Sequence, residues 1–436
     1  MAVNHTSPLG RFFLPALFLS GLAVSTQASA APALVIDAAS GEVLHQEEAT
    51  RPWYPASVTK LMTVYVALNA VRTGRLTLQT PLRVSARAAR AAPSKMGFKP
   101  GTEVTLENAL KIIMVKSAND TSITIAEGIS GSVEAFAAEM NDVARGLNMR
   151  DSNFVNPNGL HDPRHYSSAR DMAILARRLL QDFPQYSSLY GIGALQLGKR
   201  IIATHNGLIG RYPGADGMKT GFVCASGFNV VATATQGGRK LIAVVMGSPN
   251  ARVRTLQAMA LFDASFSIRG SGNVESLPVT GGSPPDMRPE ICGRNRNQEG
   301  EVPIPIAAAA PLAFAPQEDN AAAFFLNERN RGQGSGPAQG RTMANFSGVP
   351  LGERGQLQPV PVYVGRAPGW SGQARGPTGP DPEAVAEKPA AGKRTAARAA
   401  PSRRAAAAKP AAAKPVAAKP APKGKQVASG RRAKRQ

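Results

Sequence analysis

Pro55-Ala56-Ser57-Val58-Thr59-Lys60-Leu61-Met62-Thr63 leads into a continuous apolar stretch over residues 61–71. A helix that is apolar on every face must be buried on every face. Such a helix needs a substantial body around it, and the flanking sequence supplies one. Residues 33–37 and 42–45 are strand-like and joined by Ala38-Ala39-Ser40-Gly41, a hairpin with glycine in its turn. Thr105 caps a second helical pattern that runs to about 116, and a third starts near Asp120. Ser168-x-x-Asp171 resembles a capping box and opens a helix over 172–180. Three strand-like segments close the body at 218–223, 228–233 and 240–246, with Gln236-Gly237-Gly238-Arg239 in the last turn. Strands at both ends with helices between them predict an α+β fold: one antiparallel sheet with a helical cluster against it.

Three short motifs carry chemistry. Ser57 and Lys60 are three apart at the start of the buried helix, hence on one face. A serine hydroxyl is a poor nucleophile until a base takes its proton. Burial favours the neutral form of a lysine, and the positive end of a helix disfavours the ammonium further. Ser117-Ala118-Asn119 offers a hydroxyl and an amide from a loop between two helices. Lys219-Thr220-Gly221 lies on the first closing strand. Its charge and hydroxyl suit a carboxylate, and the glycine is expected to leave room for a substrate backbone. Each motif alone is weak. Together and in this order, S-x-x-K, an S-x-N and K-T-G form the set shared by β-lactamases and penicillin-binding proteins.

On these motifs residues 31–268 resemble the low-molecular-mass penicillin-binding proteins, the serine-type D-alanyl-D-alanine carboxypeptidases. Asn156-Pro157-Asn158-Gly159-Leu160, Ser168-Ala169-Arg170-Asp171-Met172-Ala173 and Asp216-Gly217-Met218-Lys219-Thr220-Gly221 strengthen the likeness. It implies an antiparallel five-stranded sheet with a helical cluster, as in β-lactamases and transpeptidases. It also implies roles. Ser57 attacks the carbonyl between the last two D-alanines, Lys60 accepts its proton, and Ser117 relays a proton to the leaving amine. Asn119 holds the substrate backbone and Lys60. Lys219 and Thr220 face the terminal carboxylate. The N–H groups of Ser57 and of Phe222, just after Gly221, form the oxyanion hole. Arg254 follows the last strand, where the family often places a carboxylate-binding arginine; Arg252 is close by. The implied partners are peptidoglycan stem peptides, with β-lactam antibiotics as acylating inhibitors. No cofactor, metal or specific nucleic acid is expected.

Composition sets the boundaries. Of the net charge of +22, fifteen Lys/Arg without a single Asp or Glu lie in 388–436, leaving +7 on the rest. Ala-Lys-Pro recurs at 408, 413 and 418, so 377–436 reads as a disordered basic tail. Like charges keep it extended and draw it to anionic envelope material. Residues 1–30 read as an export signal: Arg11, a short apolar run over 12–19, and Ala28-Ser29-Ala30 as the cleavage site. The protein is therefore expected in the periplasm or cell envelope. Between 269 and 376 the chain is rich in Gly, Pro, Asn, Gln and Arg, a mostly irregular extension in which only 304–314 and 359–364 look able to pack. Many relatives carry a β-rich C-terminal domain ending in an amphipathic membrane helix. Here the extension has no strand periodicity and the tail no apolar face.

Two features invite other readings. His161-Asp162 suggests a Ser-His-Asp triad, but Pro163 and the flanking Asn and Gly suggest an exposed loop, and Lys60 already supplies a base. The two cysteines, Cys224 and Cys292, either pair and staple the extension beside the site or remain inert thiols. Competing functions are a D,D-endopeptidase, a β-lactamase, or a non-catalytic envelope binder. A class A β-lactamase would need an E-x-x-x-N deacylating glutamate, and no convincing one lies between Ser117 and Lys219.

Overall fold

The computed structural model describes residues 31–293 and 349–379, together with Met1 and Phe346. The export segment, the apolar run at 304–314 and the tail from 380 onward lie outside the described residues.

Strands β1 (Ala33–Asp37) and β2 (Val43–Glu47) form the N-terminal hairpin. Asp37 Oδ1 accepts from the Ala39 and Ser40 N–H groups, and Gly41 takes φ +79°, which closes the turn. Helix α1 (Lys60–Arg72) follows. The helical region then runs through β3 (Pro81–Arg83), α2 (Ala86–Arg90), β4 (Glu103–Thr105), α3 (Leu106–Val115), α4 (Asn119–Ser130), α5 (Val133–Gly146) and α6 (Ala169–Asp182). A hairpin of β5 (Ala194–Leu197) and β6 (Arg200–Ala203) leads to three long strands, β7 (Ala215–Val223), β8 (Gly227–Gln236) and β9 (Arg239–Ser248). Then come α7 (Ala251–Ser265), α8 (Arg288–Cys292) and β10 (Pro359–Val362).

The main sheet has the order β2-β1-β9-β8-β7 and every pairing in it is antiparallel. The fold is α+β, with N- and C-terminal strands meeting in one sheet as expected. Both faces of that sheet are covered. Leu34, Ile36, Val231, Ile242 and Val244 pack into the core shared with α1, α3 and α6. Their neighbours Val35, Val230, Ala232, Ala243 and Val245 pack against Leu256, Leu261 and Phe262 of α7. That second layer explains why the strands read as unbroken apolar runs rather than alternating ones. Helix α7 itself was not foreseen; its start is set by Asn250, whose Oδ1 accepts from Val253 N–H.

Thr105 caps α3, its Oγ1 accepting from Asn108 N–H. The capping box at α6 is only half built. Ser168 Oγ accepts from Asp171 N–H at 3.1 Å. The Asp171 carboxylate turns instead to Asp151 N–H, Ser152 Oγ and Arg170 Nη1, all within 2.8 Å. This buried ion pair anchors the following chain, because Arg170 Nε and Nη2 also donate to the Val274 and Glu275 carbonyls.

Residues 349–379 run as a strap along the body. Arg354 donates to the Ile209 and Asn206 carbonyls, β10 pairs in parallel with β5, Arg366 pairs with Glu103, and Thr378 N–H reaches the Gly131 carbonyl. Cys224 and Cys292 form a disulfide, which resolves the two readings left open by the sequence.

Candidate active site

Strand β7 is the edge of the main sheet, so one side of its backbone has no strand partner among the described residues. A 3₁₀ turn, Ala56–Thr59, faces that edge and feeds into α1 at Lys60. Residues i and i+3 eclipse in a 3₁₀ turn, which brings Lys60 Nζ to 3.0 Å from Ser57 Oγ. Ala56, just before the serine, takes φ +50°, a strained value for a residue with a side chain. Three neighbours hold the turn. Asn229 of β8 donates from Nδ2 to the carbonyls of Tyr54 and Pro55. Thr63 donates to the Pro157 carbonyl. Gly159 packs so closely that a Cβ there would stand 1.8 Å from the Ala56 oxygen.

Lys60 is fully buried and makes three contacts: Ser57 Oγ, Asn119 Oδ1 at 2.8 Å and the Asn158 carbonyl at 2.7 Å. Burial, and then the charge of Lys219, push its amine well below the ordinary lysine range. A neutral amine has two protons and one lone pair. Asn119 Oδ1 and the Asn158 carbonyl can only accept, so they take the two protons. The lone pair is left for the Ser57 hydroxyl. Burial is the cause expected from the sequence, and it is the largest one. The charge of Lys219 is the second cause, one the sequence reading did not name.

Asn119 is oriented in turn. Its Nδ2 donates to the Ala92 carbonyl and its N–H to that of Ser94. Ser117, two residues earlier between α3 and α4, has φ +61° and accepts from Lys219 Nζ at 3.0 Å. Lys219 Nζ also donates to the Thr220 carbonyl. Burial first, and the Arg254 guanidinium second, push Lys219 down to about 7. Arg254, in the first turn of α7, is buried, with Nη2 on the His205 carbonyl and Nε without a hydrogen-bond partner among the described residues. Arg252 is engaged elsewhere, on the Phe346 and Val349 carbonyls. The structure thus puts Arg254, not Arg252, within electrostatic reach of Lys219. Thr220 pairs with Val230, whose side chain lies under α7, so Thr220 is on the Arg254 side of β7.

The role expected for Gly221 needs correction. A Cβ there would stand 2.8 Å from the Pro55 carbonyl oxygen and 2.9 Å from Ser57 N. The missing side chain makes room for the serine turn rather than for a substrate backbone. Phe222 comes next, its ring half exposed and stacked on Phe228 with centroids 4.2 Å apart. His161 lies edge-on to Tyr54, and Asp162 is bound by Arg164 through Nε and Nη2. Those two residues do not form a triad.

The structure therefore brings Ser57, Lys60, Ser117, Asn119, Lys219 and Gly221 into one cluster, with Arg254 behind it. Among the contributors that escape the sequence reading are the Asn158 carbonyl, the His205 carbonyl and Asn229. Only Asn229 leaves a legible sign, an amide inside the apolar run Phe228-Asn229-Val230.

The sequence profile of the D-alanyl-D-alanine carboxypeptidase family matches residues 21–250. D-alanyl-D-alanine carboxypeptidase DacF of Bacillus subtilis is 36% identical over 239 residues, 54% of this chain and 61% of the relative. DacC of Escherichia coli is 33% identical over 262 residues, 58% of this chain and 66% of the relative. The chain thus spans under two thirds of the length of these curated relatives. Among solved structures, penicillin binding protein 5 from Haemophilus influenzae is similar with TM-score 0.52 and 34% identity over 54% of this chain and 70% of that one. Penicillin-Binding Protein D2 from Listeria monocytogenes in its ampicillin-bound form gives TM-score 0.51 and 26% identity, covering 58% of this chain and 100% of that one. A profile match over more than half of the sequence, on a fold these relatives share, makes this chain a member of the D-alanyl-D-alanine carboxypeptidase family.

Proposed function

We propose that this protein is a serine D,D-carboxypeptidase that removes the terminal D-alanine from peptidoglycan stem pentapeptides, and that penicillins acylate the same serine. The observation that carries the reading is the 3.0 Å contact between the buried Lys60 Nζ and Ser57 Oγ, the other two contacts of the amine being acceptors only. Ser57 Oγ attacks the scissile carbonyl carbon as its proton passes to Lys60. The oxyanion meets the N–H groups of Ser57 and Phe222. Each such donor is worth about 3 kcal/mol when charge develops in front of it. The C–N bond then breaks. Through the Ser117 hydroxyl, which Lys219 Nζ holds in place, the departing amine takes the proton that Lys60 accepted, and Lys60 is neutral again. Water hydrolyses the ester with Lys60 again as base. The substrate carboxylate sits between Lys219, Thr220 and Arg254, where buried cations await an anion.

Membership of the family and the intact Ser57, Lys60 and Lys219 motifs support this over a non-catalytic binder. The N-terminal apolar run ahead of Ala28-Ser29-Ala30 supports export to the periplasm or envelope. The fifteen cations of the tail support electrostatic contact with anionic envelope polymers. A chain cut at Pro380 that pellets with envelope fractions as fully as the whole one would end the tail proposal.

The test of the activity is a reporter penicillin beside a stem pentapeptide. The expected result is stable labelling at Ser57 and release of free D-alanine, both abolished by Ser57→Ala in a folded protein. Rapid penicillin turnover would instead mark a β-lactamase. Cleavage of crosslinked dimers without pentapeptide hydrolysis would mark an endopeptidase.

A further inference from the structure

We infer that the disulfide-tied segment at 286–292 walls the upstream end of the substrate groove, where Asp286 and Arg288 receive a stem side chain that ends in both an ammonium and a carboxylate. The inference rests on the carboxypeptidase reading, which sets the direction of the substrate.

That direction follows from β7. The terminal carboxylate belongs at Lys219 and the scissile carbonyl near Ser57 and Phe222. Moving upstream in the substrate therefore means moving along β7 from Lys219 past Phe222 to Cys224. Extended chains rise about 3.3 Å per residue. Phe222, three residues beyond Lys219, is thus about 10 Å along the strand. An extended substrate puts the residue preceding its last two at that level, with its side chain free to reach further.

Two attachments fix what stands there. Cys224, directly after β7, is bonded to Cys292. Met287 N–H donates to the Ala225 carbonyl at 3.1 Å. On either side of Met287 are Asp286 and Arg288, with Asp286 Oδ2 2.7 Å from Arg288 Nη1. Arg288 N–H also donates to Asp286 Oδ1, so the two charges are held as a unit. Both side chains are about half exposed. Both act electrostatically on Tyr54 and His161, whose rings meet edge-on at 4.7 Å. Tyr54 lies three residues before Ser57, so the charged pair is next to the chain that enters the serine turn. The other charged group facing these rings, Asp162, is already bound by Arg164.

An exposed ion pair gives little stability and exchanges partners readily. A side chain carrying both charges can form two ion pairs by replacing one. A lone ammonium would satisfy Asp286 and strand Arg288. A neutral side chain gains nothing. The site therefore selects an amino acid group at the end of the side chain over a simple amine, and either over an amide.

The experiment compares D-alanine release by the full chain from three peptides ending in D-Ala-D-Ala. The preceding residue is meso-diaminopimelate, lysine or N-acetyl-lysine. The expected kcat/KM ratio of the first to the third is about tenfold or more, with lysine between. Asp286→Asn with Arg288→Gln should collapse that ratio toward one. So should Cys224→Ser with Cys292→Ser, which frees the wall. The rate of penicillin acylation reports whether each variant keeps its folded site. A wild-type ratio near one overturns the inference, and so does a ratio that survives the charge substitutions. Should the wild type release no D-alanine from any peptide and take no penicillin, the carboxypeptidase reading fails and the subsite falls with it.

Discussion

Gly221 and Ser57 meet backbone to backbone: a β-carbon on Gly221 would stand 2.9 Å from the Ser57 nitrogen, with the Pro55 oxygen at 2.8 Å and Val58 N at 3.0 Å. All three neighbours are backbone atoms, which cannot rotate out of the way. Gly221→Ala should therefore displace the serine turn from β7 by several tenths of an ångström. Misplacement by about 1 Å can cost about 100-fold in rate, so a shift of about half that should cost about tenfold. We expect penicillin acylation to fall about tenfold while the far-ultraviolet circular dichroism stays native. Gly146→Ala is the control. It sits at the end of α5 with open space around it and no positive φ, so alanine should be neutral or stabilise by up to about 1 kcal/mol. Equal acylation rates in the two variants would refute the account of Gly221.

Lys60→Met keeps the length of the side chain and removes the lone pair. It also leaves Asn119 Oδ1 and the Asn158 carbonyl without the donor they share. Loss of a positioned base typically costs 10²–10⁴-fold, so we expect acylation slower by about 10³. Stopped-flow labelling with a fluorescent penicillin measures it. A loss under about tenfold would mean that another group takes the serine proton.

The sheet and the serine helix were legible because burial on both faces writes itself as apolar runs, as in Leu61–Leu68 and Val230–Ala234. The motif side chains were legible because nucleophile, base and carboxylate receptor demand particular residue types. Backbone contributions were not. The Asn158 and His205 carbonyls act through an atom that every residue carries, so no residue type announces them. The α6 cap misled for a related reason. Asp171 has the expected spacing, but its carboxylate is drawn to Arg170 and the 151–152 backbone and side chain by contacts remote from the helix start. Pairing of Cys224 with Cys292 depended on a distance that a separation of 68 residues hides.

Lys219 at about 7 makes carboxylate binding sensitive to pH. Its pKa is lowered in the free protein, so the ammonium is present below about 7 and lost above it. The kcat/KM for a pentapeptide should fall as pH rises through that value, while a substrate esterified at its C-terminus should show a flatter profile. Arg254→Gln removes the second cause of the depression. It should weaken pentapeptide binding and at the same time move the fall to higher pH. A midpoint that stays in place or moves down in Arg254→Gln would contradict the coupling between these two cations.

His165 links the site to acid stability. Its Nδ1 accepts from Val155 N–H, so Nε2 carries the proton and donates to Thr59 Oγ1, the residue before Lys60. Burial, as the largest cause, lowers it to about 3 from 6.5. Between those values the unfolded chain binds a proton that the folded one refuses. Its stabilising effect is therefore complete above about 6.5 and is lost as pH falls toward 3. His45, half-buried, acts in the same direction. Asp171 and Asp263, raised to about 6, act oppositely, since the folded form holds their protons up to higher pH. Comparing the wild type with His165→Gln cancels those other groups. The stability difference between the two should shrink by about 1.4 kcal/mol per pH unit from pH 6 to 4. Urea unfolding at each pH measures it. A difference that stays flat over that interval would show that His165 takes up its proton in the folded state, and that the start of α1 is not held by a neutral imidazole.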